Sequence, residues 1–243
     1  MRHKAKKKEV QLRRSLKRRQ QLDQKRAAHE VFSGVSDDMA HLVAFLAGIH
    51  RQVFETALTP LKYSDIKYAL ENEQSICYVA IDPPADCAPG YEKVSNASMV
   101  FLSFESGIML SGKRGRGIYA INSAGLAKWL SPIDASPTIP EDKKHSARIA
   151  NMIQLAAHEI RHEVQHFERP VYRKIDAIKD IKPEAFASWQ NRTTSCFKQN
   201  LPQDRIDREE DAITTELLVQ RLIFESRCSI TELYKKIAEL VRA

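Results

Sequence analysis

With 243 residues, 43% of them hydrophobic, the chain is long enough to bury a core of its own, and its longest uncharged apolar run falls short of the eighteen or so residues a membrane span needs. The first residues hold no apolar stretch of the kind a secretory signal requires, so the expectation is a soluble, cytoplasmic protein. The net charge of +7 is confined to one end: residues 1–30 carry twelve Lys/Arg against three Asp/Glu, whereas residues 31–243 carry 26 against 28.

Residues 1–30 read as a basic arm, solvated or helical, with too little apolar surface to anchor a fold. Such an arm suits contact with nucleic acid or an anionic surface, and equally suits a solubilising extension. Residues 31–243 read as one domain. Ser36 is a good N-cap, with Asp37 and Asp38 in the first turn behind it, and Met39, Leu42, Val43, Leu46, Ile49 and Val53 share a helical face that ends before Pro60. A shorter helix is expected from Ser64 through Ile66 and Leu70. The texture then changes. Ile76–Ile81, Met99–Phe104, Gly107–Leu110 and Gly117–Ile121 have the short, β-rich character of strands, with a Gly- and Arg-rich loop at Ser111–Arg116. They predict a small, largely antiparallel sheet.

Helix resumes at Ala124–Leu130, followed by a linker punctuated by Pro132, Pro137 and Pro140. Pro140 suits the first position of a long helix with Glu141 and Asp142 in its first turn, a buried stripe of Ile149, Ile153, Ala156, Ile160, Val164 and Phe167, and a stop at Pro170. Further helices are expected near Pro183–Lys198, over Asp204–Glu225 and from Ser229 onward. The class is therefore α+β, mainly helical, with the small sheet ahead of the long helix. The cysteines, Cys77, Cys87, Cys196 and Cys228, lack any C-x-x-C spacing, so neither a thiolate metal site nor a redox pair is indicated, and thiols with packing roles are expected.

Chemistry concentrates on the long helix. His158 and His162 stand one turn apart on the same face, so both imidazoles can reach a single ion, and Glu159 can approach that ion's open position without ligating it. This H-E-x-x-H string on a helix is the arrangement of zinc-dependent peptidases, with Zn2+ as cofactor and Glu159 as general base. Downstream, Glu209-Glu210-Asp211-Ala212 opens a second acidic helix.

Together these two motifs resemble the gluzincin class of metallopeptidases, in particular compact members such as the ImmA/IrrE-like family. The resemblance implies a minimal catalytic domain over about residues 95–225, a protein or peptide substrate, and a third ligand from the downstream E-x-x-A pattern. Glu209 is the first choice for that ligand and Glu210 the runner-up. The pattern's next residue, an Asp or Asn that would orient one histidine, is replaced by Ile213, leaving Asp211 or Glu163 as substitutes. The resemblance also suggests that the strand Gly117–Ile121 holds an extended peptide by edge pairing. The metzincin pattern is excluded, because Gln165 stands where it needs glycine and Glu168 where it needs a third histidine. His166 is expected at the surface or behind the ligands, and Arg161 and Glu163 on a charged face. Tyr119 and Tyr172 are candidates for hydrogen-bond donors to the transition state. The competing reading is a nucleic-acid-associated or regulatory protein that keeps a structural or vestigial zinc site and meets its partner through the basic arm.

Overall fold

In a computed structural model of the chain, which describes residues 34–61, 77–85, 91, 97–103, 117–168, 170–174, 187, 190, 191, 194 and 201–243, Ser36 caps helix α1 (Asp37–Phe54) as the sequence suggests. Its hydroxyl accepts from the Met39 amide, a bond typically worth about 1 kcal/mol to a helix. The expected apolar face is buried, with Leu42, Leu46, Ile49 and Val53 wholly inaccessible. Each such side chain contributes about 1.5–3 kcal/mol by leaving water. Glu55 ends the helix at a positive φ, its amide returning to the Arg51 carbonyl.

Four strands follow: β1 (Thr59–Pro60), β2 (Cys77–Ile81), β3 (Met99–Ser103) and β4 (Gly117–Ile121). Their spatial order is β1-β2-β4-β3. β1 pairs parallel to β2, β2 parallel to β4, and only β3 runs antiparallel, against β4. The sheet is thus mixed, not largely antiparallel. β4 lies inside it with all five residues buried, so it has no edge to offer a peptide, contrary to expectation. β1 was not anticipated: two residues carry no period, and Pro60 is tolerated because the strand lies at the sheet's edge. On the opposite side, the Ser98 carbonyl accepts from the Asn122 amide, which turns the backbone groups of Val100 and Leu102 toward β4 and those of Met99, Phe101 and Ser103 away from it. Gly117 is required by close approach. A Cβ there would lie 2.5 Å from the Phe101 ring and 2.6 Å from the Leu102 carbonyl oxygen.

Helix α2 (Ser123–Ala135) is capped by Asn122 and continues through Pro132, where a linker was expected. The carbonyl of Lys128, which loses its partner at the proline, accepts instead from Ser131 Oγ at 2.9 Å. Helix α3 (Glu141–Glu168) starts just after Pro140 and stops before Pro170 as expected. It packs against β3 and, among the described residues, against α1, α2 and the two helices that follow it, and each residue from Met152 to Arg161 is buried. Arg148 ties it to Asp38 of α1 and Asp134 of α2. Helices α4 (Gln203–Glu225) and α5 (Ile230–Arg242, capped by Ser229) complete the shell around a core shared by α1, the sheet and α3. Among the described residues no helix is long and apolar enough to cross a membrane. The basic arm, the helix expected from Ser64, the strand Gly107–Leu110, the loop Ser111–Arg116 and nearly all of Pro183–Lys198 lie outside the described residues.

Candidate metal centre

The i, i+4 spacing on α3 brings His158 and His162 together with their Nε2 atoms 3.1 Å apart. From α4, Glu209 reaches the pair: Oε2 lies 3.7 Å from His158 Nε2, and Oε1 lies 3.6 Å from His162 Nε2. These three side chains form one group able to hold an ion. Glu210 is turned aside, its Oε2 2.9 Å from Lys174 Nζ.

The His162 proton is placed by the partner on its other ring nitrogen. Gln165 donates both amide hydrogens, to Asp211 Oδ2 at 2.7 Å and the Arg208 carbonyl at 2.9 Å, so its Oε1 is an acceptor. That oxygen lies 2.9 Å from His162 Nδ1, which must carry the proton. His158 Nδ1 lies 3.3 Å from Glu216 Oε2 without the alignment of a hydrogen bond. With the His162 proton on Nδ1, its Nε2 lone pair, the His158 Nε2 and a carboxylate converge on one point. That arrangement is repulsive unless a positive charge occupies the point. Zinc fits it: bonds of about 2.0–2.1 Å to nitrogen and oxygen set tetrahedral ligand atoms about 3.3 Å apart, and two imidazoles with one carboxylate leave a fourth position open.

Without a metal a proton fills the role. Burial pulls the His162 imidazole down, but the Glu209 carboxylate outweighs it and holds the ring at about 9. Burial likewise pushes Glu209 up, and the facing His162 and His158 overcome it, leaving the carboxyl at about 2. The pair is therefore charged across the neutral range.

Glu159 stands outside the ligand group. Its Oε2 accepts from the Phe101 amide of β3 at 2.8 Å, and its Oε1 lies 4.0 Å from His158 Nε2. Burial raises its pKa, against the pull of the two histidines and the Phe101 N–H. A carboxylate fixed beside the cation point and more basic than usual is poised for proton transfer.

The two proposed substitutes for the missing orienting residue are engaged elsewhere than on His158 and His162. Asp211 is fully buried and lies one step back, gripping Gln165 and the Nε and Nη2 of Arg161, at 2.7 and 3.1 Å for the arginine. Burial opposes its ionisation, but Arg161, Gln165 and the Arg173 amide keep its carboxyl below the usual range. Glu163 projects to another side of α3, where Tyr119 donates to it at 2.6 Å. That bond also withdraws Tyr119 from any role as transition-state donor. Arg161 and Glu163 are both wholly buried, so the expected charged face does not exist. His166 is half-buried and stacks edge-on to Phe167, away from the ligand group.

The side chains behind the two rings that sequence reading missed are Gln165 and Glu216. Glu216 lies seven residues after Glu209, two turns along the same face of α4, which is the spacing that could have revealed it. Comparison with protein-family models, curated proteins and solved structures finds no match for this chain.

Proposed function

We propose that the chain is a zinc-dependent metallopeptidase, with His158, His162 and Glu209 as ligands and Glu159 as general base. The reading is carried by one observation: the Nε2 atoms of His158 and His162 and the carboxylate of Glu209 converge on one point, with the His162 Nδ1 held by Gln165 Oε1. Zinc held there supplies an acidified water and polarises a scissile carbonyl. Glu159 takes the proton that the attacking water gives up and passes it to the leaving amine, while the Phe101 amide fixes the carboxylate's direction. Gln165 holds the His162 ring in the ligating tautomer.

For the substrate, β3 takes the place first given to β4. Among the described residues no strand pairs with its outer edge, and the outward Phe101 amide meets Glu159 there. An extended peptide pairing with that edge passes the ligand group. Glu159→Gln is expected to lower turnover of a peptide library by about 10²–10⁴-fold with one metal still bound at this site. Undiminished hydrolysis would remove Glu159 from the reaction.

The excess of positive charge in residues 1–30 supports a role in delivery to nucleic acid or another anionic surface. Deleting those residues is then expected to abolish salt-sensitive binding to duplex DNA while hydrolysis persists. Binding without any hydrolysis would favour a regulatory protein with a vestigial site.

A further inference from the structure

A second polar cluster lies on another side of α3 and has no part in the chemistry above. Glu163 and His50 have wholly inaccessible side chains and Cys77, a thiol, is 2% exposed. They come from α3, α1 and β2 respectively. We propose that His50, Cys77 and Glu163 form a closed structural zinc site that fastens these three elements together.

The argument begins with the proton on His50. Its Nδ1 lies 3.3 Å from the Thr56 carbonyl oxygen, which can only accept. The ring hydrogen therefore sits on Nδ1, and the Nε2 lone pair faces Glu163 Oε2 at 3.2 Å. A lone pair turned toward a carboxylate oxygen, where water does not reach, needs a positive centre: a shared proton or a metal ion. Cys77 supplies a third donor for a metal. Its thiol donates to the same oxygen at 3.7 Å, and all three ligand atoms fall within 4.8 Å of one another.

Thiolate, imidazole and carboxylate together are a donor set suited to zinc. Tetrahedral bonds of about 2.3 Å to sulfur and about 2.0–2.1 Å to nitrogen and oxygen separate sulfur from oxygen by about 3.5 Å and nitrogen from oxygen by about 3.3 Å. The observed 3.7 and 3.2 Å are close to those edges. Tyr119 donates to the ligating oxygen at 2.6 Å and orients the carboxylate. Metal entry would displace the Cys77 thiol proton to solvent, leaving thiolate, imidazole and carboxylate to hold the ion. A site sealed this thoroughly admits no substrate, so its work is to hold the core.

The test uses the full chain. Metal analysis by mass spectrometry is expected to find two zinc ions in the wild type and one each in His158→Ala and Cys77→Ser. After exchange to cobalt(II), a sulfur-to-cobalt charge-transfer band is expected in the near ultraviolet. It persists in His158→Ala and vanishes in Cys77→Ser, since the first site contains no sulfur. Should Cys77→Ser fail to fold, His50→Gln must remove the second ion. A wild-type chain that takes up cobalt without that band overturns the proposal and leaves the peptidase reading intact. The band together with an unchanged metal count in His158→Ala sinks the peptidase site alone.

Discussion

The two clusters on α3 are built by the same device and differ in their access to water. Each has a histidine whose Nδ1 proton is held by an acceptor, so that Nε2 turns toward a carboxylate from a different element or turn. In the first, Glu209 is 30% and His162 19% exposed at the side chain, which leaves the group open to water. In the second, both His50 and Glu163 are at 0%. Ligand chemistry alone therefore does not separate a reactive site from a structural one. Exposure does, because an open coordination position has value only where something can enter it.

The most severe way to break the comparison is to remove the one ligand that does not come from α3. Glu209→Ala is expected to eliminate both the ion at the open site and all hydrolysis, while Glu210→Ala, whose carboxylate lies on Lys174, retains both. Metal content and peptide turnover of the two variants check this side by side. If Glu210→Ala were the one to lose its ion, the assignment would be reversed.

Next in size is the support behind the open site. Arg161 and Asp211 are both fully buried, with two hydrogen bonds between them and a third from Arg161 to the Val241 carbonyl. Arg161→Ala removes two charge-assisted hydrogen bonds from Asp211, which keeps Arg173 and Gln165, and is expected to cost about 1.5–3 kcal/mol, read from urea unfolding. A loss within 1 kcal/mol would mean that the network is not formed in solution. Smaller again is the orienting partner. Gln165→Leu is expected to weaken zinc binding about 10–100-fold in chelator competition, with the fold retained. Unchanged affinity would show that the His162 ring is held by packing alone.

How much of this was legible beforehand differs between the same two regions. His158, Glu159 and His162 lie in one short helical spacing and were legible from the sequence, as was the cap at Ser36, whereas Glu209 was singled out only by the resemblance of its downstream pattern. The closed cluster joins residues 50, 77 and 163, and no local period connects positions so far apart. Arg161 and Glu163 were misjudged for a related reason: helical spacing gives the angle of a side chain, whereas burial depends on which element lies across from it. The sheet was misjudged in the same way. Strand composition marks β2 and β4, but their parallel pairing, which puts β4 inside and leaves β3 at the edge, is settled by tertiary packing.

The smallest effect sharpens the comparison through pH. In the metal-free open site His162 holds a proton up to about 9, whereas the usual imidazole value is about 6.5. A pKa raised on folding adds stability that is complete below the ordinary value and is lost as pH rises through the raised one, so the metal-free chain is expected to weaken between those limits. Zinc must displace that proton, so its apparent affinity rises about tenfold per pH unit across the same window and levels off above it. Glu209, at about 2, contributes no competition there. Glu209→Gln removes the strongest upward influence on His162, so in the metal-free variant the His162 ring should titrate nearer pH 6.5, followed by the NMR shifts of its imidazole protons. A wild-type affinity that is flat from pH 7 to 9 would mean that His162 is already neutral, and the charge balance drawn for the open site would be wrong.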